Sequence, residues 1–157
     1  MTRLYGRAPT AERCLCRVPH GHWHTVTFIA ALRHDRITAP LLINGPMDGA
    51  MFLACVREML APQLRGGEIV MCDNLSSHKV SGVREAIENR GAQLLHLPAY
   101  SPDLNPIELA FSKLKAFLRQ SAQRTFHGLR QATAKALDSF SAAHCTLFFH
   151  HANYATH

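Results

Sequence analysis

The chain has no long apolar run. No stretch approaches the about 18 consecutive apolar residues that a membrane span requires. The opening segment, MTRLYGRAPTAER, has none of the apolar core of a secretory leader. No Cys-x-x-Cys pair occurs among the five cysteines, and their odd number argues against a disulfide framework. Cys55 and Cys72 lie in apolar runs, where a free thiol behaves as a small hydrophobe. Internal repeats, low-complexity tracts and long linkers are lacking too. Acids are scarce: 11 Asp and Glu stand against 17 Lys and Arg, for a net charge of +6. That balance suits an anionic partner such as nucleic acid but does not by itself establish one. A cytosolic protein is the expectation.

What is present suffices for one domain. A length of 157 residues and 47% apolar content permit a real core. Residues 12–19 and 23–33 read as strands around Gly21, the second alternating through Val26, Phe28 and Ala30. His34-Asp35-Arg36 reads as a turn into a third strand, ITAPLLI. Asp48 can cap a helix running to about Leu60, with Phe52, Cys55, Val56 and Met59 at helical spacing and Pro62 as its stop. EIVMCD (68–73) reads as a buried strand. A helix marked by Val80, Val83 and Ile87 follows, with Gly91 as C-cap, and then the strand QLLHL (93–97). Helices are expected from Pro106 to about Gln120, over 126–140 and over 142–151. Phe111, Leu114, Phe117 and Leu118 should face inward in the first of these, and Phe126, Leu129, Leu137 and Phe140 in the second. Hairpin strands followed by α/β alternation predict a mixed sheet flanked by helices. In open α/β sheets, sites form at the carboxyl ends of strands, where Asp73 stands.

Two segments carry the chemistry. LPAYSPDLNPIELAFSKLK (97–115) crowds prolines and acids before a helix. One reading is local: Asn105 as N-cap, Pro106 at N1 and Glu108 at N3 approximate a capping box, and Asp103 favours the positive end of the helix dipole. Asp73-Asn74 likewise suits a turn after a strand. The other reading joins the two segments. Mg²⁺ takes oxygen ligands, commonly one or two carboxylates together with substrate phosphate. Two such ions clamp an in-line phosphoryl displacement. Asp73 at a strand end and Glu108 at a helix start, 35 positions on, supply carboxylates from separate elements. Proline-fixed backbone before Glu108 would hold that ligand rigid. The two readings are compatible.

MCDNLSSHK and LPAYSPDLNPIE with LAFSKLK, at this separation, resemble the DDE endonuclease domain of bacterial insertion-sequence transposases of the Tc/mariner superfamily. TRLYGRAP, VPHGHW, FIAALR and ITAP extend the likeness over nearly the whole chain. The resemblance implies an RNase H-like fold and a triad of two aspartates and a glutamate. Asp73 corresponds to its second acid and Glu108 to its third. It implies DNA cleavage at transposon ends and joining of the freed 3′-OH to target DNA, with Mg²⁺ or Mn²⁺. It implies double-stranded DNA as partner, a homodimer or full-length transposase as a further one, and a bacterial, nucleoid-associated location without membrane.

In that family the first acid ends a first, central strand just before the TRLYGRAP segment. Glu12, Asp35 and Asp48 do not fit its place, and no helix-turn-helix region is present. The expectation is therefore a single domain, 1–157, truncated at its N-terminus and weak or inactive alone, with unpaired strand edges. A divided transposase made by frameshifting, or an internal methionine taken as the start, would also give this chain. The alternatives are a DNA-binding or dominant-negative remnant and a zinc-binding module. For zinc, Cys14, Cys16, His20, His22 and His24 lack a standard structural spacing.

His78, five residues after Asp73, falls where the family pattern often has histidine and would position DNA or the metal's outer shell; a capping role competes. Lys113, Lys115 and Arg119 follow Glu108 on one helix and are candidates for phosphate contact. Arg84, Arg90, Arg124, Arg130 and Lys135 lie on neighbouring helices, and an ordinary solvated face explains any one of these cations equally well.

Overall fold

In the computed structural model, residues 7–15 and 24–154 are described. Strand β1 (Thr27–Leu32) pairs antiparallel with β2 (Ile37–Ile43), and the turn closes through Arg33 N–H donating to Arg36 O at 2.8 Å. Between the pairs Ile29–Leu41 and Ala31–Thr38, two residues of β2 oppose one of β1. The bulge contains Ala39, at φ 49°, and Pro40, which has no N–H to give to a ladder. Strands β3 (Ile69–Cys72) and β4 (Gln93–His96) pair in parallel, in register from Ile69–Gln93 to Cys72–His96.

Helix α1 (Gly49–Cys55) begins as expected, with Asp48 accepting from Met51 N–H at 2.8 Å. It does not run on as α-helix to Leu60. Val56–Leu60 widens into a π-helical turn, and a 3₁₀ turn at Ala61–Gln63 holds Pro62 before the chain extends at Leu64. Helix α2 (Val83–Glu88) ends at Asn89, and Gly91, at φ 72°, takes the left-handed turn beyond it. Three helices complete the chain: α3 (Ile107–Ser121), α4 (Phe126–Asp138) and α5 (Ala142–His151).

Two cores result. The first packs Phe52, Val56, Val83, Ile87, Ala92 and Leu94 between α1, α2 and the β3–β4 pair. Ile87 and Val83 are fully enclosed, and each such burial is worth about 1.5–3 kcal/mol. The second packs Leu114 and Leu118 of α3 against Ala132 and Ala136 of α4, with Phe28 of β1 alongside. Small residues let α4 lie close to α3. Phe126, expected inside, is 37% exposed. Phe111 and Phe117 are only part-buried, so Ala110 is the buried neighbour of Leu114 and Leu118.

Two further expectations are corrected. Residues 12–15 form no strand; the rest of that expected strand lies outside the described residues. The strand expected over 23–33 is shorter, Thr27–Leu32. Among the described residues the mixed architecture consists of two two-stranded sheets, in keeping with the expected α/β class.

Candidate active site

The parallel pairing of β3 and β4 brings two strand ends to one edge, and the chain leaves that edge at Asp73. Asp73 Oδ1 accepts from Leu75 N–H at 3.4 Å, the beginning of a turn over the strand end. His78, in the 3₁₀ turn Ser76–Lys79, presses its Nδ1 against the same oxygen. The imidazole also stacks on Phe52, ring centres 4.2 Å apart, which fixes its plane. On the β4 side His96 Nδ1 lies 3.4 Å from Asp73 O. The sequence reading named His78 but passed over His96. Its signal was its place at the end of the strand that pairs with β3. Asn74 is exposed beside this cluster.

Glu108 stands in the first turn of α3, and it arrives there differently from the capping-box expectation. Neither Asn105 nor Glu108 caps through its side chain; the helix start has no side-chain cap. Instead Pro102–Leu104 forms a 3₁₀ turn, with Asn105 N–H donating to Pro102 O at 2.9 Å. Glu108 N–H then donates to Asn105 O at 3.1 Å. Pro106 is buried, and Tyr154 Oη donates to Leu104 O at 2.9 Å. The segment is held by backbone bonds, a buried ring and a distant tyrosine, leaving the exposed Glu108 carboxylate unused by the helix. Asp103 is exposed within the 3₁₀ turn.

Asp73 and Glu108 line two adjoining hollows. One, about 460 Å³, runs between β1 and β3. The other, about 370 Å³, lies under residues 97–102, with Asn105 also on its wall. Tyr100 stands at its rim, fully exposed and at φ 57°. Asp73 and Glu108 therefore both border this space at the carboxyl end of the parallel pair.

The cations divide. Seven and eleven residues are near-integral turns of an α-helix, so Lys115 and Arg119 follow Glu108 along one face. Lys113 turns elsewhere: its ammonium donates to Ser139 O at 3.0 Å, sits 3.0 Å from His144 Nδ1 and lies over the Phe140 ring. That engagement ties α3 to the α4–α5 corner. Arg84 is paired with Glu88 and the Leu94 carbonyl, and Arg90 with the Ala61 carbonyl. Of the zinc candidates, Cys14 and His24 are exposed, while Cys16, His20 and His22 lie outside the described residues. Among the described residues no three His, Cys, Asp or Glu side chains converge as a metal cluster. Among the described residues no helix is long and apolar enough to cross a membrane.

Comparison with solved structures finds the same fold in the Mos1 mariner transposase. The chain matches the Mos1 strand transfer complex at a TM-score of 0.75 and 16% identity, covering 96% of this chain and 46% of that one. It matches the Mos1 mariner paired end complex with Mn at 0.69 and 16%, covering 96% and 47%. It matches the catalytic domain of Mos1 mariner transposase at 0.64 and 17%, covering 81% and 74%. The chain thus spans about half the length of the Mos1 chains in the complexes. No curated protein sequence matches it. At these identities the likeness establishes the fold, an RNase H-like mixed α/β domain. Membership comes from the sequence itself, because the family model described as DDE superfamily endonuclease matches residues 1–130, which include both Asp73 and Glu108; the chain belongs to that family.

Proposed function

We propose that this chain is the metal-dependent DNA cleavage and strand-transfer domain of an insertion-sequence transposase. The supporting observation is the convergence of Asp73 and Glu108, from a strand end and a helix start, on one pair of adjoining hollows. Their donor chemistry fits Mg²⁺ or Mn²⁺: two carboxylates leave the remaining coordination positions for water and phosphate oxygens. When bound, the ion supplies charge neutralisation at the phosphate under attack. The chain's own residues do the rest. His78 packs against the Asp73 carboxylate, and the Leu75 amide donates to it. The 3₁₀ turn and Pro106 hold the backbone at Glu108. Lys115 and Arg119 extend a cationic stripe from Glu108 for the DNA backbone. A Mos1 complex with Mn supports the choice of ion.

The test is calorimetric Mn²⁺ titration with and without duplex DNA, alongside nicking of a supercoiled plasmid. Asp73→Asn and Glu108→Gln should each lower Mn²⁺ affinity by about tenfold or more, as disruption of a metal shell does. Unchanged affinity in both variants would remove the metal assignment. Metal and DNA binding with no nicking would favour the non-catalytic, DNA-binding reading.

A further inference from the structure

Tyr100 is a poor choice for its place on local grounds. Its backbone lies at φ 57°, in the left-handed region that glycine or asparagine ordinarily fills and where a bulky side chain is an outlier. Its ring is fully exposed. Among the described residues it makes no hydrogen bond and no ring contact. Tyr154 is the contrast: its hydroxyl binds Leu104 O and its ring meets Phe149. Tyr100 thus contributes nothing to the fold that would offset its backbone conformation. An outlier of this kind points to a ligand that needs the side chain.

The smaller hollow, at whose rim Tyr100 stands, has a lining that selects its occupant. Its 370 Å³ or so lie between two segments that leave the parallel strands side by side, residues 73–75 after β3 and 97–102 after β4. The exposed side chains of Leu75 and Tyr100 offer it apolar surface, and Pro98 adds more. Among the described residues no Lys, Arg or His lines it. A phosphate group seeks cations, and here it would meet Asp73 and Glu108 instead. A nucleobase is different: it is planar and uncharged, with faces that stack and an edge of donors and acceptors. Asn74 and Asn105 share the lining, and among the described residues no other group engages their side-chain amides. Each amide offers that edge both a donor and an acceptor. A base inside a duplex has its faces covered by its neighbours, so only an unpaired or unstacked base can enter.

On the reading of this chain as a DNA-cleaving domain, we propose that the smaller hollow is a binding site for one unpaired nucleobase of the strand being cut, with Tyr100 stacking on its face. Asp73 and Glu108 border the same hollow. A base seated there brings its adjoining phosphate to their edge, so the ring of Tyr100 helps to fix which phosphate is presented. Stacking on an aromatic ring tolerates any base, because every base has a π-face. Tyr100 is therefore a positioning residue for the strand rather than a reader of its sequence.

The test is fluorescence anisotropy of the intact chain with a labelled duplex that carries a short unpaired extension, in both polarities, without added metal. The control duplex has abasic residues in the extension, which keeps every phosphate and removes the bases. The chain should bind the base-bearing extension about tenfold more tightly than the abasic one in at least one polarity, the scale of one base stacked on an aromatic ring. Tyr100→Phe should keep that preference and Tyr100→Gly should abolish it. Glycine suits a φ of 57°, so Tyr100→Gly should melt at the same temperature as the parent or higher. Lost preference with undiminished stability separates a ring that contacts ligand from one that supports the fold. Three outcomes overturn the proposal: no preference in the parent, a preference that survives Tyr100→Gly, or a lower Tm in that variant. Binding of neither duplex would remove the DNA-cleaving reading itself. Mn²⁺ affinity enters none of these measurements, so failure here is distinct from failure of the metal assignment at Asp73 and Glu108.

Discussion

Removing the charge of Glu68 should loosen the two sheets from one another. Arg33 makes a bidentate pair with Glu68, and Glu68 Oε2 also accepts from Arg65 N–H at 2.9 Å. The two side chains are 18% and 28% exposed, so the pair lies between surface bridges, worth about 0–1 kcal/mol, and buried ones, whose breakage costs about 3–5 kcal/mol. Glu68→Gln keeps the shape and one acceptor but converts charge-assisted bonds to neutral ones. A loss of about 2 kcal/mol is expected, or a fall in Tm of roughly 4–8 °C for a domain of this size. The hydrogen bonds of Arg33 hold the Glu68 carboxyl below its ordinary value of 4.5. The sign follows from that depression: the contribution is complete above pH 4.5 and disappears as pH falls through the lowered value. Thermal melts of both proteins across that range give the difference directly. A loss below about 0.5 kcal/mol at neutral pH, the scale of ordinary surface changes, would refute the clamp. So would a gap between the two proteins that widens on acidification.

Tyr154→Phe should lower stability by about 1 kcal/mol through loss of the Leu104 bond, and should weaken Mn²⁺ binding by freeing the turn before Glu108; calorimetry on the folded variant checks the second effect. Lys115→Ala and Arg119→Ala should each reduce the slope of log K against log salt for duplex DNA by about 1. Lys113→Ala should leave that slope unchanged and lower Tm instead, because its ammonium is engaged by Ser139, His144 and Phe140. Burial, and then the charge of Asp73, push the Cys72 thiol up to about 11. At pH 8 it should carry roughly a hundredfold less thiolate than a cysteine at 9.0, so iodoacetamide should label exposed Cys14 first. Asp73→Asn should speed labelling of Cys72.

Elements set by local chemistry were readable from the residues. Asp48 caps its helix as its type predicts, and ITAPLLI is a strand over its full length despite Pro40, because a bulge absorbs the missing donor. The motif pair Asp73 and Glu108 could be named because strand ends and helix starts have short-range signatures. Tertiary choices were not readable. Asn105 has the composition of a cap, yet Pro102 and Tyr154 determine the turn, and Tyr154 is 50 residues from its partner. Lys113 looks like any exposed cation until the α4–α5 corner supplies its acceptors. The π-helical turn after Cys55 has no strong residue signature, since helical spacing alone does not separate closely related windings. Division of the strands into two sheets depends on pairing partners, which side-chain alternation cannot specify.

The two separate cores have a consequence for how the site assembles. Residues from Phe52 to Leu94 close one core through contacts short in sequence, while Leu114 to Ala136 close the other. Each is a candidate foldon, able to open without the other. Asp73 is carried by the first and Glu108 by the second, so the carboxylate pair straddles the seam between them. A ligand held by both carboxylates binds only the docked arrangement, and by linkage it suppresses independent opening of the two halves, making the unfolding of the whole domain more cooperative.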